Sequence, residues 1–347
     1  MVTIKDIAQK CNVSIATVSN VINDRGKVSA ETKSFIWDTA REMNYVPNFM
    51  AKNLKQRQSN NIGIITEDLT IFHTPAVVDG IHSYLDERGY TYVLGNMRVF
   101  QKHGDEYYLF PEYEGKVLEE LNIMAAKQVS GIIYVEGHCH TISCIPEEFP
   151  IPMVSIYGFI EKSGVPSVIY NDEQGAYLAT CALIEKGYRK IGVITGINDS
   201  YHTKRRMQGY HKALYENKIP FDPRWMAEGD WTKQSGYDAA GQLIEQGIRA
   251  IFSMNDLMAG GVYKYTKDNG CEVGKDIALV GFDDREICEA YFPGLSSVHL
   301  PLFELGRYAA KLMLDTLAGK KEPEQKKHFI GCQLMKRGSL LEMKEKV

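Results

Sequence analysis

The chain has 347 residues, too many for one ordinary core and enough for two or three domains. Hydrophobic residues make up 44% of it. No run approaches the roughly 18 apolar residues of a membrane span, and the chain opens on a polar helix rather than an apolar leader; the cytoplasm is therefore expected, not a membrane or a secreted location. Seven cysteines, an odd number with no CxxC pair, suit a reducing compartment. The net charge of −4 hides an asymmetry: residues 1–60 hold nine lysines and arginines against five acids, so this head carries +4 and the remainder −8. A basic head on an acidic body fits a protein whose head alone meets phosphate.

Residues 3–23, TIKDIAQKCNVSIATVSNVIN, read as two short helices around a tight turn. Ile4, Ile7, Ala8 and Cys11 recur at the spacing of one helix face. Thr3 stands at the N-cap with Asp6 three residues on, a variant of the capping box. Ser14 caps the second helix, whose Val18, Val21 and Ile22 point inward. The opposite face carries Ile15, Ala16, Thr17, Ser19, Asn20 and Asn23, which are short and neutral. A helix lying in a DNA major groove needs such a face. Ser29 caps a third helix with Phe35, Ile36, Thr39, Ala40 and Met43 on its inner side. Pro47 stops that helix and fits the first turn of another, 48–55, too short to stand alone in water.

From Ile62 onward, strands alternate with helices. The apolar runs 62–66, 92–95, 131–135, 153–156, 191–195, 250–253 and 277–281 read as buried parallel strands. Glycines at 89, 187, 247 and 270 end the helical patterns between several of them. This repetition predicts an α/β fold with doubly wound parallel sheets.

The segments TIKDIAQKCNVSIATVSNVIN, VSAETKSFIWDTAREMNYVPN and MAKNLKQRQSNNIGII, ungapped over about the first 65 residues, resemble the start of a LacI/GalR-family bacterial transcription regulator. More loosely, the resemblance covers nearly the whole chain. It implies a helix-turn-helix DNA-binding head at 1–46 and a hinge helix with linker at 47–61. A two-lobed, periplasmic-binding-protein-like core would follow at 62–341, then a tail at 342–347. One lobe is expected at 62–158 and 296–322, the other at 163–293 and 327–341. Ile15, Ala16 and Asn20 match the base-reading positions of the family; Thr3, Ser14, Thr17, Ser19, Asn23 and Lys27 complete the expected DNA-facing set. In relatives the hinge helices pair in the minor groove and a leucine wedges between base pairs. Leu54 matches that leucine, and Lys55 the basic residue after it. A tetramerising heptad segment is missing after Leu340, so a homodimer on a near-palindromic operator is expected.

Ligands of open α/β sheets bind beyond the carboxyl ends of the strands. His73, Tyr157, Arg206, Trp231, Asn255 and Asp283 fall at or after such ends. Flat rings with polar groups suit a sugar, which has apolar faces and a hydroxyl rim. The positions matching Arg206, Trp231, Asn255 and Asp283 line the effector site in the family, and GDWTKQSG resembles its sugar-responsive members. The run HCHTISC (His138, Cys139, His140, Cys144) fits no standard zinc spacing, so no metal is expected. Residues 98–115 are longer and more aromatic than the family's usual connection, and read either as a surface loop or as an added contact surface.

The expected function is thus a transcription repressor whose operator affinity is set by a small-molecule effector, a sugar, bound between the lobes. Two alternatives stand beside it. One keeps the DNA head but takes a protein or nucleotide co-repressor. The other is a sugar-processing enzyme, which would need a catalytic constellation; there is no P-loop, GxSxG, HExxH or GxGxxG, and neither catalytic residues nor a cofactor are expected.

Overall fold

A computed structural model describes residues 2–23, 25–45, 60–320 and 326–341. The chain forms two compact units, Met1–Ser59 and Asn60–Val347.

In the first unit, α1 (Ile4–Cys11), α2 (Ile15–Ile22) and α3 (Ala30–Glu42) close a small core. Ile7, Ala8, Cys11, Val18, Val21, Ile36 and Ala40 are buried in it. All three helices are capped as their sequences predict. Thr3 and Asp6 form a reciprocal capping box, and the Ser14 and Ser29 hydroxyls accept from the amides of Thr17 and Thr32. One inward residue is corrected: Phe35 is 54% exposed. It lies about 100° round the helix from Ile36, and Trp37 packs against the core instead. The expected hinge helix at 48–55 lies outside the described residues.

The second unit holds two six-stranded sheets. The first runs β13–β7–β5–β3–β1–β2 and is parallel throughout. Its strands are β1 (Asn61–Thr66), β2 (Thr91–Asn96), β3 (Gly131–Val135), β5 (Met153–Ile156), β7 (Ser167–Tyr170) and β13 (Lys327–Ile330). The second runs β14–β12–β11–β10–β8–β9, with only β14 antiparallel. It comprises β8 (Ile191–Ile194), β9 (Met226–Ala227), β10 (Ala250–Ser253), β11 (Ala278–Asp283), β12 (Ser296–His299) and β14 (Gln333–Met335). The pair β4 (Thr141–Ile142) and β6 (Phe159–Ile160) stands apart. Helices cover the sheets: α4 (Thr74–Asp86), α5 (Val99–His103), α6 (Glu112–Ala126), α7 (Asp172–Glu185), α8 (Tyr201–Glu216), α9 (Lys233–Glu245), α10 (Asp256–Asp268), the short α11 (Ile287–Ala290) and α12 (Leu302–Leu317). Helices α4 and α12 cross so closely that a Cβ on Gly306 would sit 2.1 Å from the Val77 carbonyl oxygen. Among the described residues no helix is long and apolar enough to cross a membrane.

The chain passes between the sheets three times, later than the sequence suggested. Strands β7 and β13 belong to the first sheet and β12 to the second. The expected boundaries at 158/163, 293/296 and 322/327 therefore move to about 171, 300 and 331. The cause is local: SVIY, SSVH and KHFI are four-residue strands diluted by polar residues, with no apolar run to reveal them. The first and third crossings are laced together. The amide of Asn171 donates to the Ile330 carbonyl at 2.8 Å, and the Gln174 side chain bonds both the amide and carbonyl of Cys332.

Residues 98–115 are not a loose loop, and their outer side leaves Leu109 and Phe110 exposed. Helix α5 and a 3-10 helix (Gly104–Leu109) fold back as a strap over the ends of β1 and β3. Buried Tyr107 and Tyr113 both donate their hydroxyls to the fully buried carboxylate of Glu67. Gly137 adds a backbone N–H at 2.6 Å. The strap also grips the loop after β1, since the Gln101 amide donates to Asp68 at 3.0 Å and its side chain to Thr70 at 2.9 Å.

Candidate binding sites

In the first unit, α2 presents Ile15 at 48% exposure, with Ala16 and Asn20 also exposed. The hydroxyls of Ser14 and Thr17 bond each other at 2.8 Å. Ser19 is half-buried, and Asn23 turns back to donate to the Ser19 carbonyl at 2.7 Å. Thr3 and Lys27 are exposed. The outer face of α2 therefore carries no acidic group and no bulky charge, as a helix entering a major groove requires. Leu54 and Lys55 lie outside the described residues.

In the second unit the structure brings Arg206 and Asp283 together, links Tyr157 to Arg206 through the Tyr170 hydroxyl, and stacks His73 on Tyr157. Arg206 projects from α8 and is 3% exposed. Its Nε donates to Asp172 at 2.8 Å, one Nη to the Met254 carbonyl, and the other Nη to the Tyr170 hydroxyl at 2.9 Å. The guanidinium lies 3.7 Å from the Phe282 ring centre and 5.6 Å from that of Trp231. Asp283 is 3.9 Å away. Burial works to raise the pKa of Asp172, but His202 and Arg206 outweigh it, so the group stays below the usual carboxylate range. Burial raises Asp283 well above that range, the nearby Arg206 notwithstanding. Its neighbour Asp284 is instead tied to Arg337 at 2.6 Å and His299 at 3.0 Å.

Tyr157 and His73 come from the first lobe. The His73 ring stacks on Tyr157 with centroids 3.8 Å apart, and its Nε2 lies 2.9 Å from the Glu136 carbonyl. Burial pushes its pKa down to about 3. It is fully buried, not an exposed loop histidine. Trp231 packs its ring over Gly196, where a Cβ would meet it at 2.0 Å. Asn255 is the N-cap of α10: its Oδ1 accepts from the Met258 amide at 2.8 Å and its Nδ2 donates to the Trp231 carbonyl at 3.0 Å. Both ends of that amide serve the protein, so Asn255 positions Trp231. Tyr157, Trp231 and Asp283 all take positive φ, at 74°, 73° and 107°. Such conformations are costly for residues other than glycine and gather at binding sites.

Asp172, Tyr170 and His202 were missed in the sequence. The first two flank the end of β7, a strand too polar to stand out. His202 sits one helical turn before Arg206, a spacing that was legible. The motif around His138 and His140 belongs to the strap's footing: His140 Nε2 lies 3.0 Å from the Tyr113 hydroxyl, and its Nδ1 bonds the His138 carbonyl at 2.8 Å.

A three-helix head with a groove-compatible second helix, in one chain with a pair of doubly wound sheets joined by three crossings, defines a ligand-binding regulator of the helix-turn-helix class. Residues 3–48 match the model of bacterial regulatory proteins of the lacI family, and residues 180–340 that of a periplasmic binding protein-like domain. The chain is 32% identical over 330 residues to the HTH-type transcriptional repressor PurR of Klebsiella pneumoniae (strain 342), covering 94% of this chain and 93% of that one. Among solved structures it resembles the lac repressor dimer bound to operator and the anti-inducer ONPF, with a TM-score of 0.77 and 27% identity over 98% and 99% of the two chains. It also resembles a transcriptional regulator CelR–cellobiose complex, with a TM-score of 0.61 and 26% identity over 98% and 100%. The chain belongs to the LacI family of bacterial transcription regulators, DNA-binding proteins and not enzymes.

Proposed function

We propose that this regulator is a repressor whose operator affinity is controlled by a sugar held between its lobes, and that it acts as a homodimer on a near-palindromic site. The observation that carries the reading is the convergence on Arg206. Rings from both lobes (Tyr170, Trp231, Phe282) surround a guanidinium already balanced by Asp172, with Asp283 beside it. A neutral, amphipathic ligand suits such walls, since the charges inside are paired. The relatives bound to cellobiose and to operator with an anti-inducer support this. The DNA-facing residues proposed are Thr3, Ser14, Ile15, Ala16, Thr17, Ser19, Asn20, Asn23, Lys27, Leu54 and Lys55. Those proposed for the effector are His73, Tyr157, Arg206, Trp231 and Asp283, with Asn255 acting through Trp231.

Ligand would change the angle between the lobes and so the spacing of the two heads of a dimer. It alters DNA affinity only if it binds the two states unequally. The test is a footprint on DNA flanking the protein's own coding region, repeated with candidate sugars. A protected, two-fold symmetric site whose protection changes with one neutral sugar is expected. Failure to bind any duplex at any salt, or binding as a lone subunit, would overturn the reading.

A further inference from the structure

The ends of β1 and β3 bring two buried carboxyl groups, Glu67 and Glu136, under the strap, both 0% exposed. Their surroundings differ. Glu67 accepts from the hydroxyls of Tyr107, Tyr113 and Tyr134 and from the Gly137 amide. Every group that bonds it brings a proton, so it serves as a carboxylate. Among the described residues, the only ion-pair contacts of either group are with His140, whose Nε2 lies 3.6 Å from Glu67 and Nδ1 3.5 Å from Glu136. Both ring nitrogens have nearer partners, the Tyr113 hydroxyl at 3.0 Å and the His138 carbonyl at 2.8 Å.

Glu136 meets a different set. Ser155 Oγ lies 2.9 Å from its Oε1 and 2.8 Å from the Gly158 carbonyl. A hydroxyl has one proton and a carbonyl only accepts, so Ser155 donates to Gly158 and turns a lone pair toward Glu136. That contact closes only if Glu136 supplies a proton of its own. Gly158 makes room for the carboxyl, since a Cβ there would fall 1.7 Å from its Oε2. Burial first, then the neighbouring Glu67, raise the pKa of Glu136 well above the usual carboxylate range; the His140 and Phe159 amides favour the charged form without outweighing them. The group is also faced by Tyr107 of the strap, Tyr134 of β3 and Cys139 of its own loop.

We infer that the strap is latched by a proton on Glu136, between the Ser155 hydroxyl and the footing built on Glu67. With that proton in place the footing holds one carboxylate, which the tyrosine hydroxyls satisfy. Without it two like charges are buried side by side, and the strap lifts to let water reach them. The closed group holds its proton more tightly than an open, solvated one. Closure is therefore whole below the ordinary glutamate value of about 4.3 and is lost as pH rises toward the folded value. The backbone carbonyl of the same residue faces His73 Nε2 at 2.9 Å, so the latch also bears on a residue proposed for the effector.

The test uses the full chain and Glu136→Gln, which keeps the shape of a neutral carboxyl. A difference infrared spectrum at pH 7, parent minus variant, should show the carbonyl band of a protonated carboxyl; its absence overturns the proposal. Hydrogen exchange is then followed from pH 5 to pH 9 at the amides of Gln101, Phe110 and Tyr113, which bond Asp68, Tyr107 and Phe110 within the closed strap. After division by the intrinsic amide rate, opening in the parent should grow by up to about tenfold per pH unit, and Glu136→Gln should show no such rise. A flat parent profile, which is read without any variant, or an equal rise in both proteins excludes Glu136 as the latch. The amides of β8 in the second lobe should not follow the rise. If they do so in parallel, the proton holds the whole fold rather than the strap, and the proposal fails.

Discussion

Arg206 shows how one side chain can hold a site together and be missed in part by sequence. Its place after the end of a strand and its match to the family marked it, but its main partner, Asp172, follows a strand with no apolar signature. Removing the guanidinium leaves the buried Asp172 carboxylate with His202, 3.0 Å away, as its remaining partner among the described residues. Arg206→Ala should therefore lower unfolding free energy by about 3–5 kcal/mol, read by urea denaturation, and abolish the ligand response while operator binding persists at low temperature. A normal ligand response in that variant would place the effector elsewhere. His73 gives a pH signature. Burial holds its folded pKa at about 3, below the usual imidazole value of about 6.5. In that window the unfolded chain holds a proton that the folded chain refuses, so stability present above about pH 6.5 is lost as pH falls toward 3. The slope approaches roughly 1.4 kcal/mol per pH unit in mid-window. His73→Phe should flatten that part of a urea-midpoint profile between pH 7 and pH 4; an unchanged slope would mean that other groups set it.

Among the elements, those with strong local signals were legible and the rest were not. The capped helices of the head and the apolar strands β1, β3, β5, β8 and β10 follow directly from periodicity and end signals. Strands β7, β12 and β13 are edge or near-edge strands of mixed polarity, defined by their neighbours in the sheet rather than by their own residues. The strap at 99–113 was equally hidden, because nothing in Tyr107 or Tyr113 announces a partner forty residues upstream. Glu67 is where the strap is fastened. Tyr107→Phe removes one donor from a carboxylate that stays buried, and should cost about 1–3 kcal/mol of stability. Exchange of backbone amides near Gln101 should rise with it, since the strap and the loop after β1 are bonded there. A variant as stable as the parent would show that Gly137, Tyr113 and Tyr134 suffice to satisfy Glu67.

For the whole molecule, the question is how a ligand between two sheets is felt by DNA. The proposed link is the segment 47–61, with Leu54 as a wedge in the minor groove. Unstacking a base step costs a few kcal/mol and is offset only where bent DNA gains contacts. Leu54→Ala should thus weaken operator binding far more than binding to random duplex, measured by fluorescence anisotropy at fixed salt. Equal losses on both would remove the wedge from the account. The head's +4 supplies attraction to any duplex, which is why the comparison with random DNA matters.

The lacing of Asn171 and Gln174 to residues 330 and 332 also limits how the lobes travel. Two of the three connecting segments are bound into a single ribbon and cannot slip past each other. The halves can then swing like a door on its jamb, but neither glide lengthwise nor part. A ligand in the proposed site would on this account be felt outside mainly as a rotation.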